Sequence, residues 1–369
     1  MVSAGVWRQW GVLPRRPRAV TAGPRFGVWA LVHGSRAALQ DPDEPYDASW
    51  ERNRALILEA ERLGYDCTLI AQHTINPHDP GLDELEAWTA AAALAALTSR
   101  IEIIAAIKPL LYHPAVLAKM ALGIEAISEG RFAINLVNAW NRTEMEGAGI
   151  PFPEHDDRYA YGDEWLCVVE ALLRGERVSF RGEHLQLPGY QLRPASKYRA
   201  RPRIYVGGES APARQLVAAR GDVWFINGQP LADVSALITD VARRPRAGAA
   251  LEFGLSAFVI ARETATEAEA NLARLFELSA KDAAIKAQKA ANTDPKSVMA
   301  AVLARTPRVG SNGGTGAGLV GDYDTVAARI VDFCRAGIST FMLQYQPFEA
   351  EMARFAHEIM PRVRALLRP

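Results

Sequence analysis

Five consecutive residues, Val206-Gly207-Gly208-Glu209-Ser210, set two glycines before a serine that opens a helical stretch. Glycine lets a backbone come close to a ligand. A helix N-terminus offers unpaired N–H groups and the positive end of its dipole. A phosphate is the natural guest. Arg158-Tyr159, at the start of another helical stretch, adds a guanidinium and a phenol suited to the same group. Each feature also has a plainer reading. Ser210 serves as an ordinary helix cap, and Arg158 pairs at the surface with Asp156 or Asp157.

Polar residues recur wherever a short apolar run ends. They are His33, then Gln72 and His73, Lys108, Asn135 and Asn138, and Asn227. Histidine titrates near neutral pH, so His33 and His73 are candidates for general acid or base. The seven histidines are dispersed, without HxxxH or HxH spacing for a metal. No GxSxG or SxxK motif offers a nucleophile for acyl chemistry. A bound organic cofactor is therefore the expected source of chemistry.

These residues need a scaffold that gathers strand ends. From Arg25 the chain alternates short apolar runs with helical stretches. Strands are expected at 25–32, 67–71, 101–107, 131–137, 203–206, 223–226, 253–261 and 340–344. Helices are expected at 48–63, 85–97, 113–127, 157–173, 211–220, 231–242, from 266, at 324–335 and at 348–367. Successive strand–helix units imply parallel pairing with right-handed crossovers. Eight units in the 345 residues after Pro24 match an α/β (β/α)8 TIM barrel. A doubly wound sheet is the rival. It would want a glycine fingerprint after the first strand, where the chain reads His33-Gly34-Ser35-Arg36. Insertions are expected after helix 4, as a hairpin over 178–190, and around helix 7. The polar, glycine-rich stretch 290–318 there reads as a functional lid. Residues 1–24, arginine-rich and without acidic residues, read as a flexible N-terminal extension to a single domain spanning 25–369.

Lys plus Arg and Asp plus Glu both number 42, so net charge is zero. That balance gives no support for nucleic acid or an anionic membrane as partner. No apolar run approaches the ~20 residues of a membrane span. Three well-separated cysteines fit reduced thiols and a cytoplasmic location.

The chain resembles the bacterial luciferase-like, FMN-dependent monooxygenases, nearest the subgroup with alkanesulfonate and dimethyl sulfone monooxygenases and pyrimidine oxygenase. The matching stretches are 130–137 (GRFAINLV), 155–159 (HDDRY), 207–210 (GGES), 319–322 (LVGD) and 325–330 (TVAARI). The resemblance implies that reduced FMN, delivered by a separate NAD(P)H:flavin reductase, activates O2 as a flavin (hydro)peroxide that oxygenates a small organic substrate. It implies that Asn135 reaches the isoalloxazine ring, with Gln72, His73 and Glu144 beside it. Arg158, Tyr159 and the Gly208-Glu209-Ser210 turn would hold the FMN phosphate. Asn135 and Asn138 become candidates for orienting oxygen or flavin carbonyls, and His33 falls near the pocket. A homodimer or homotetramer is the family habit.

Departures from the subgroup bear on the substrate. Ser256 and Phe258 stand where the alkanesulfonate enzymes carry Arg and His, and Asn312 replaces a loop arginine. A buried sulfonate wants positive partners. A neutral organosulfur compound or a secondary-metabolite intermediate is therefore expected, in a pocket walled by Trp29, Trp140, Trp224 and Phe258. Asn138-Ala139 replaces the usual Thr or Ser before Gly. Two alternatives share the fold: an F420-dependent oxidoreductase, and a non-catalytic flavin-binding barrel.

Overall fold

A computed structural model describes residues 23–34, 37–44, 46–246, 248–293 and 308–368. The expected N-terminal extension lies outside these, save Gly23 and Pro24, and so do residues 294–307 of the expected lid.

The chain runs β1 (Arg25–Trp29), α1 (Trp50–Leu63), β2 (Cys67–Ile70), α2 (Ala87–Leu97), β3 (Glu102–Ile107), α3 (Pro114–Ile127) and β4 (Phe132–Leu136). Then come α4 (Arg142–Gly147), α5 (His155–Leu173), the hairpin β5 (Val178–Arg181) and β6 (Gln186–Tyr190), and β7 (Arg203–Gly207). Next are α6 (Ala211–Arg220), β8 (Val223–Ile226), α7 (Leu231–Ala242), β9 (Glu252–Phe258) and β10 (Ile260–Arg262). The chain ends with α8 (Ala265–Lys281), α9 (Ala283–Asn292), β11 (Val320–Asp322), α10 (Tyr323–Arg335), β12 (Ile338–Gln344), α11 (Phe348–Arg354) and α12 (Met360–Leu366).

Eight strands close a barrel in the order β1-β12-β9-β8-β7-β4-β3-β2. Every neighbouring pair is parallel. The expected TIM barrel is what forms, and the doubly wound sheet is excluded. Local chemistry sets the boundaries. Ser49 caps α1 by accepting the Arg52 N–H, and Gly64 ends it at φ 90°. Inside the barrel Gly27 faces Cys67 and Met342. A Cβ there would lie 2.5 Å from Cys67 Sγ and 2.8 Å from Met342 Cε, so only glycine fits. At the N-terminal end of the strands a polar plug closes the core. Glu102 Oε2 accepts from Arg25 Nη2 at 2.6 Å and from the Tyr205 hydroxyl at 2.8 Å.

Three expectations shift. The single strand over 253–261 divides into β9 and β10. The chain leaves the barrel at Phe258, and β10 pairs instead with β11. The C-terminal helix is broken by a wide π turn over Phe355–Ile359. Pro361 follows two positions after the turn ends. It has no N–H for the carbonyl one turn back, which accounts for the widening. The long helix expected from 266 divides into α8 and α9, and the short helix α4 lies in a stretch where the sequence suggested none.

Candidate active site

The C-terminal ends of the strands converge on a cavity of about 780 Å³. Small-molecule sites commonly span ~300–1,000 Å³. One corner of it gathers the groups an anion needs. Ser210 opens α6, with Oγ accepting the Ala213 N–H at 3.4 Å. Gly208 before it sits at φ 111°. A Cβ at Gly208 would lie 3.0 Å from the Tyr159 hydroxyl, so glycine is what lets that phenol close on the turn. Arg158, from the first turn of α5, is 3 % exposed. Its guanidinium lies 4.1 Å from the centre of the Phe152 ring, and its Nη1 donates to the Pro153 carbonyl at 2.6 Å. Arg158, Tyr159, Gly208 and Ser210 all line the cavity.

Glu209 lines it too, but its oxygens are engaged by protein. Oε1 accepts from the Asn227 backbone N–H at 2.7 Å and from Asn227 Nδ2 at 2.9 Å, and Oε2 accepts from Gln229 at 3.0 Å. Burial pushes its carboxyl up, against the pull of those donors. These bonds tie the loop after β7 to the loop after β8.

A buried charge cluster occupies the side nearest β2 and β3. Lys108, directly after β3, places Nζ 2.5 Å from Glu144 Oε2 and 3.1 Å from His73 Nδ1. His73 Nδ1 is itself 3.1 Å from Glu144 Oε2, and the Thr74 N–H donates to Glu144 Oε1 at 2.8 Å. Burial opposes the charge on Glu144, but His73 and Lys108 outweigh it and hold the carboxyl at about 2. Burial lowers Lys108, and Glu144 counters it. Gln72 Oε1 accepts the Lys108 backbone N–H at 2.8 Å, fixing the start of this loop. His33 is 2 % exposed, with Nδ1 3.6 Å from Glu84 Oε1 and its ring 5.5 Å edge-on from that of His73. His33, Gln72, His73 and Lys108 line the cavity, whereas Glu144 stands behind them.

Asn135, on β4, and Asn138, just beyond it, line the same space. Asn135 Oδ1 and Asn138 Nδ2 are buried without hydrogen-bond partners among the described residues, as is Ser256 Oγ on β9. Asn138 presses on α5 at Gly162, where a Cβ would meet its Oδ1 at 2.6 Å.

Trp29 and Trp140 are cavity walls, but Trp224 and Phe258 are not. Trp224 faces outward from β8, its indole N–H donating to the Gly208 carbonyl at 2.8 Å, and its neighbour Phe225 takes the inner face. Phe258 is fully buried beneath Gly310, where a Cβ would lie 2.7 Å from its ring. The wall is also richer in cations than the substitutions at 256, 258 and 312 suggested. Lys286 of α9 and Arg308 join Lys108 and Arg158 on it. Lys108 was visible as a strand-end residue without an assigned role. Arg308 sits four positions before the loop position that drew attention.

Gly310, Ser311 and Asn312, at the head of a glycine-rich segment, supply another wall. Gly313, at φ 88°, lies directly on the backbone of Gly228, and Gly228 N donates to the Asn312 carbonyl at 3.0 Å. A methyl at Gly313 would strike both N and O of Gly228 while holding a strained φ. Gly313→Ala is expected to lower the unfolding free energy by about 1–3 kcal/mol, read by denaturant titration. It should also loosen this wall.

Known proteins share both the pattern and the shape. A profile of the luciferase-like monooxygenases matches residues 25–340. The FMNH2-dependent dimethylsulfone monooxygenase of Pseudomonas putida is 31 % identical over 327 residues, covering 86 % of this chain and 90 % of that one. Among solved structures, a riboflavin lyase superposes with a TM-score of 0.77 at 19 % identity, covering 93 % of this chain and 92 % of its own. A long-chain alkane monooxygenase superposes with a TM-score of 0.75 at 16 % identity, with the same coverage of 93 % and 92 %. At such identities the superpositions establish the fold. The profile match and the Pseudomonas relative carry the further conclusion that this chain belongs to the luciferase-like monooxygenase family.

Proposed function

We propose that this chain is the oxygenase of a two-component system, taking reduced FMN from a separate flavin reductase and inserting one oxygen atom of O2 into a small organic substrate. The observation that carries this reading is the anion corner opening into the same cavity as the His73–Lys108–Glu144 cluster, in a family of monooxygenases. The donor set fits FMN. Ser210, Tyr159, the α6 N-terminus and a buried guanidinium suit a phosphate monoester. The unpartnered amide atoms of Asn135 and Asn138 suit a polar ring system.

When bound, reduced FMN supplies the electrons that activate O2. The protein's own contribution is positioning and proton control. Arg158, Tyr159, Gly208 and Ser210 hold the phosphate end. Asn135, Gln72 and His73 border the ring, with Glu144 acting through His73. His33, beside Glu84, gives or takes a proton. Trp29, Trp140 and Phe225 keep the reacting space dry. Dimethyl sulfone, the substrate named for the Pseudomonas relative, is the first compound to try. The cations at 286 and 308 make organic acids the second class. Apolar residues exposed on α2 and α3, namely Leu97, Val116 and Ile127, support a homodimer or homotetramer. No helix among the described residues is long and apolar enough to cross a membrane, and a cytoplasmic setting suits a partner reductase.

The test is anaerobic titration with reduced FMN, followed by labelled O2 and dimethyl sulfone. Saturable binding and label in the oxidised product are the expected results. Binding of reduced F420 in place of reduced FMN would overturn the reading in favour of hydride transfer, and FMN binding with no oxygen uptake would favour a non-catalytic barrel.

A further inference from the structure

We infer that Gln344, at the end of β12, is a positioning residue that moors the Ser311–Asn312 wall of the cavity, and that this wall meets the substrate rather than the phosphate end of the cofactor. The second half rests on the reading of the cavity as a flavin site.

Gln344 is fully buried. Its backbone belongs to the barrel, paired with Phe258 of β9, and its carbonyl accepts the Val259 N–H at 3.0 Å. Its side chain reaches out of the barrel. Oε1 accepts the Ser311 N–H at 3.1 Å, and Nε2 donates to the Ser311 carbonyl at 3.2 Å. One amide thus pairs with both backbone groups of one residue, as a neighbouring strand would. The two bonds also fix which end of the amide is which, since a flipped amide would set donor against donor and acceptor against acceptor. Glutamate lacks the donor, lysine lacks the acceptor, and asparagine is one methylene shorter.

The held segment is closed on itself. The Thr315 N–H donates to the Val309 carbonyl at 2.9 Å, the Val309 N–H to Thr315 Oγ1 at 3.2 Å, and the Gly314 N–H to the Ser311 carbonyl at 2.9 Å. Those bonds set the shape of the turn but not its place on the rim. Gln344 ties it to β12. The Gly228 N–H ties it to the loop after β8 through the Asn312 carbonyl. Between these moorings Asn312 is held at φ 51°, a left-handed backbone that asparagine tolerates and that its surroundings must sustain.

Ser311 and Asn312 line the cavity and Gln344 does not, so Gln344 acts through the backbone it holds. β12 stands four strands from β4 round the ring of eight, directly across the barrel. Arg158 and Tyr159 of the anion corner follow β4. A ligand anchored there by its phosphate leaves the opposite wall to whatever shares the cavity with it.

Gln344→Met keeps the length of the side chain and removes both bonds. In the whole ligand-free chain, hydrogen exchange followed by NMR should quicken at the Ser311 amide at least about tenfold, with the amides of β7 and β8 unchanged. The dissociation constant for reduced FMN, titrated without oxygen, should stay within about twofold of wild type, while KM for dimethyl sulfone rises at least about fivefold and kcat changes by less than about twofold. Ser311 exchange as slow as in wild type would overturn the mooring. Faster exchange throughout the barrel would also overturn it, since Gln344 would then only hold the fold. Reduced FMN weakened as much as the sulfone would overturn the placing of the substrate at this wall. If Gln344→Met does not fold, Gln344→Asn draws the amide back by one methylene and is read by the same measurements. A wild type that does not bind reduced FMN would sink the flavin reading, and the exchange result would still decide the mooring.

Discussion

Glu144→Ala is expected to lower the unfolding free energy at neutral pH by about 3–5 kcal/mol, the usual result of stripping the partner from a buried charge. The carboxylate accepts from the Thr74 N–H and from Lys108, and it lies beside His73 Nδ1. Removing it leaves an ammonium with 3 % side-chain exposure stripped of its ion-pair partner, with Glu84 as the other carboxylate that acts on it. Two pH signatures separate this from a generic packing defect. In the wild type the folded-state pKa of Glu144 is about 2 against an ordinary 4.5. A group depressed in this way contributes stability that is fully present above about 4.5 and is lost as pH falls through about 2. In Glu144→Gln that part of the acid slope should be missing. In Glu144→Ala the buried Lys108 has its own pKa depressed further below 10.5, so the unfolded chain binds more protons than the folded one in the alkaline range. Stability relative to wild type should then recover as pH rises toward the ordinary lysine value. Denaturant titrations at acid, neutral and alkaline pH read all of this. A deficit independent of pH would mean that the cluster carries no charge worth the name.

The barrel was legible because each strand–helix unit announces itself by its own periodicity, and parallel pairing follows from the alternation. The anion corner was legible for a different reason. Its parts, Gly208 with Ser210 and Arg158 with Tyr159, are local motifs whose chemistry does not depend on distant contacts. What the residues alone did not reveal is relational. Lys108 and Glu144 are 36 positions apart and meet only because β3 and the short α4 end at the same rim. No periodicity marks such a pair. The failure at Trp224 has another cause. All four residues of β8 are buried, so apolar character does not say which of Trp224 and Phe225 faces inward. A barrel strand lies between a filled interior and a layer of helices, and both sides are dry. At Phe258 parity was right but height was wrong. It shares a face with Ser256, yet the glycine segment at 310 folds over it and takes the place at the wall.

The double replacement Arg158→Ala with Ser210→Ala is expected to raise the dissociation constant for reduced FMN at least about tenfold, since each residue offers a hydrogen bond to a dianion and such bonds are worth more than neutral ones. Loss of affinity alone would be ambiguous. Ser210 also caps α6, and its removal costs the helix about 1 kcal/mol. Arg158 also covers the Phe152 ring and satisfies the Pro153 carbonyl. Reduced riboflavin, which carries the same ring and no phosphate, resolves the ambiguity. If the corner holds the phosphate, wild type prefers FMN over riboflavin, and the double variant loses that preference while binding riboflavin much as before. Equal weakening of both ligands would mean that the variant has damaged the cavity as a whole. Retention of the preference would place the phosphate elsewhere on the rim, and Arg308 and Lys286 are the cations that line the cavity there. Of the two side chains, Arg158 should carry the larger share. It brings a full positive charge and a planar fork of donors to the dianion, whereas Ser210 brings a neutral hydroxyl whose oxygen already accepts from the Ala213 N–H.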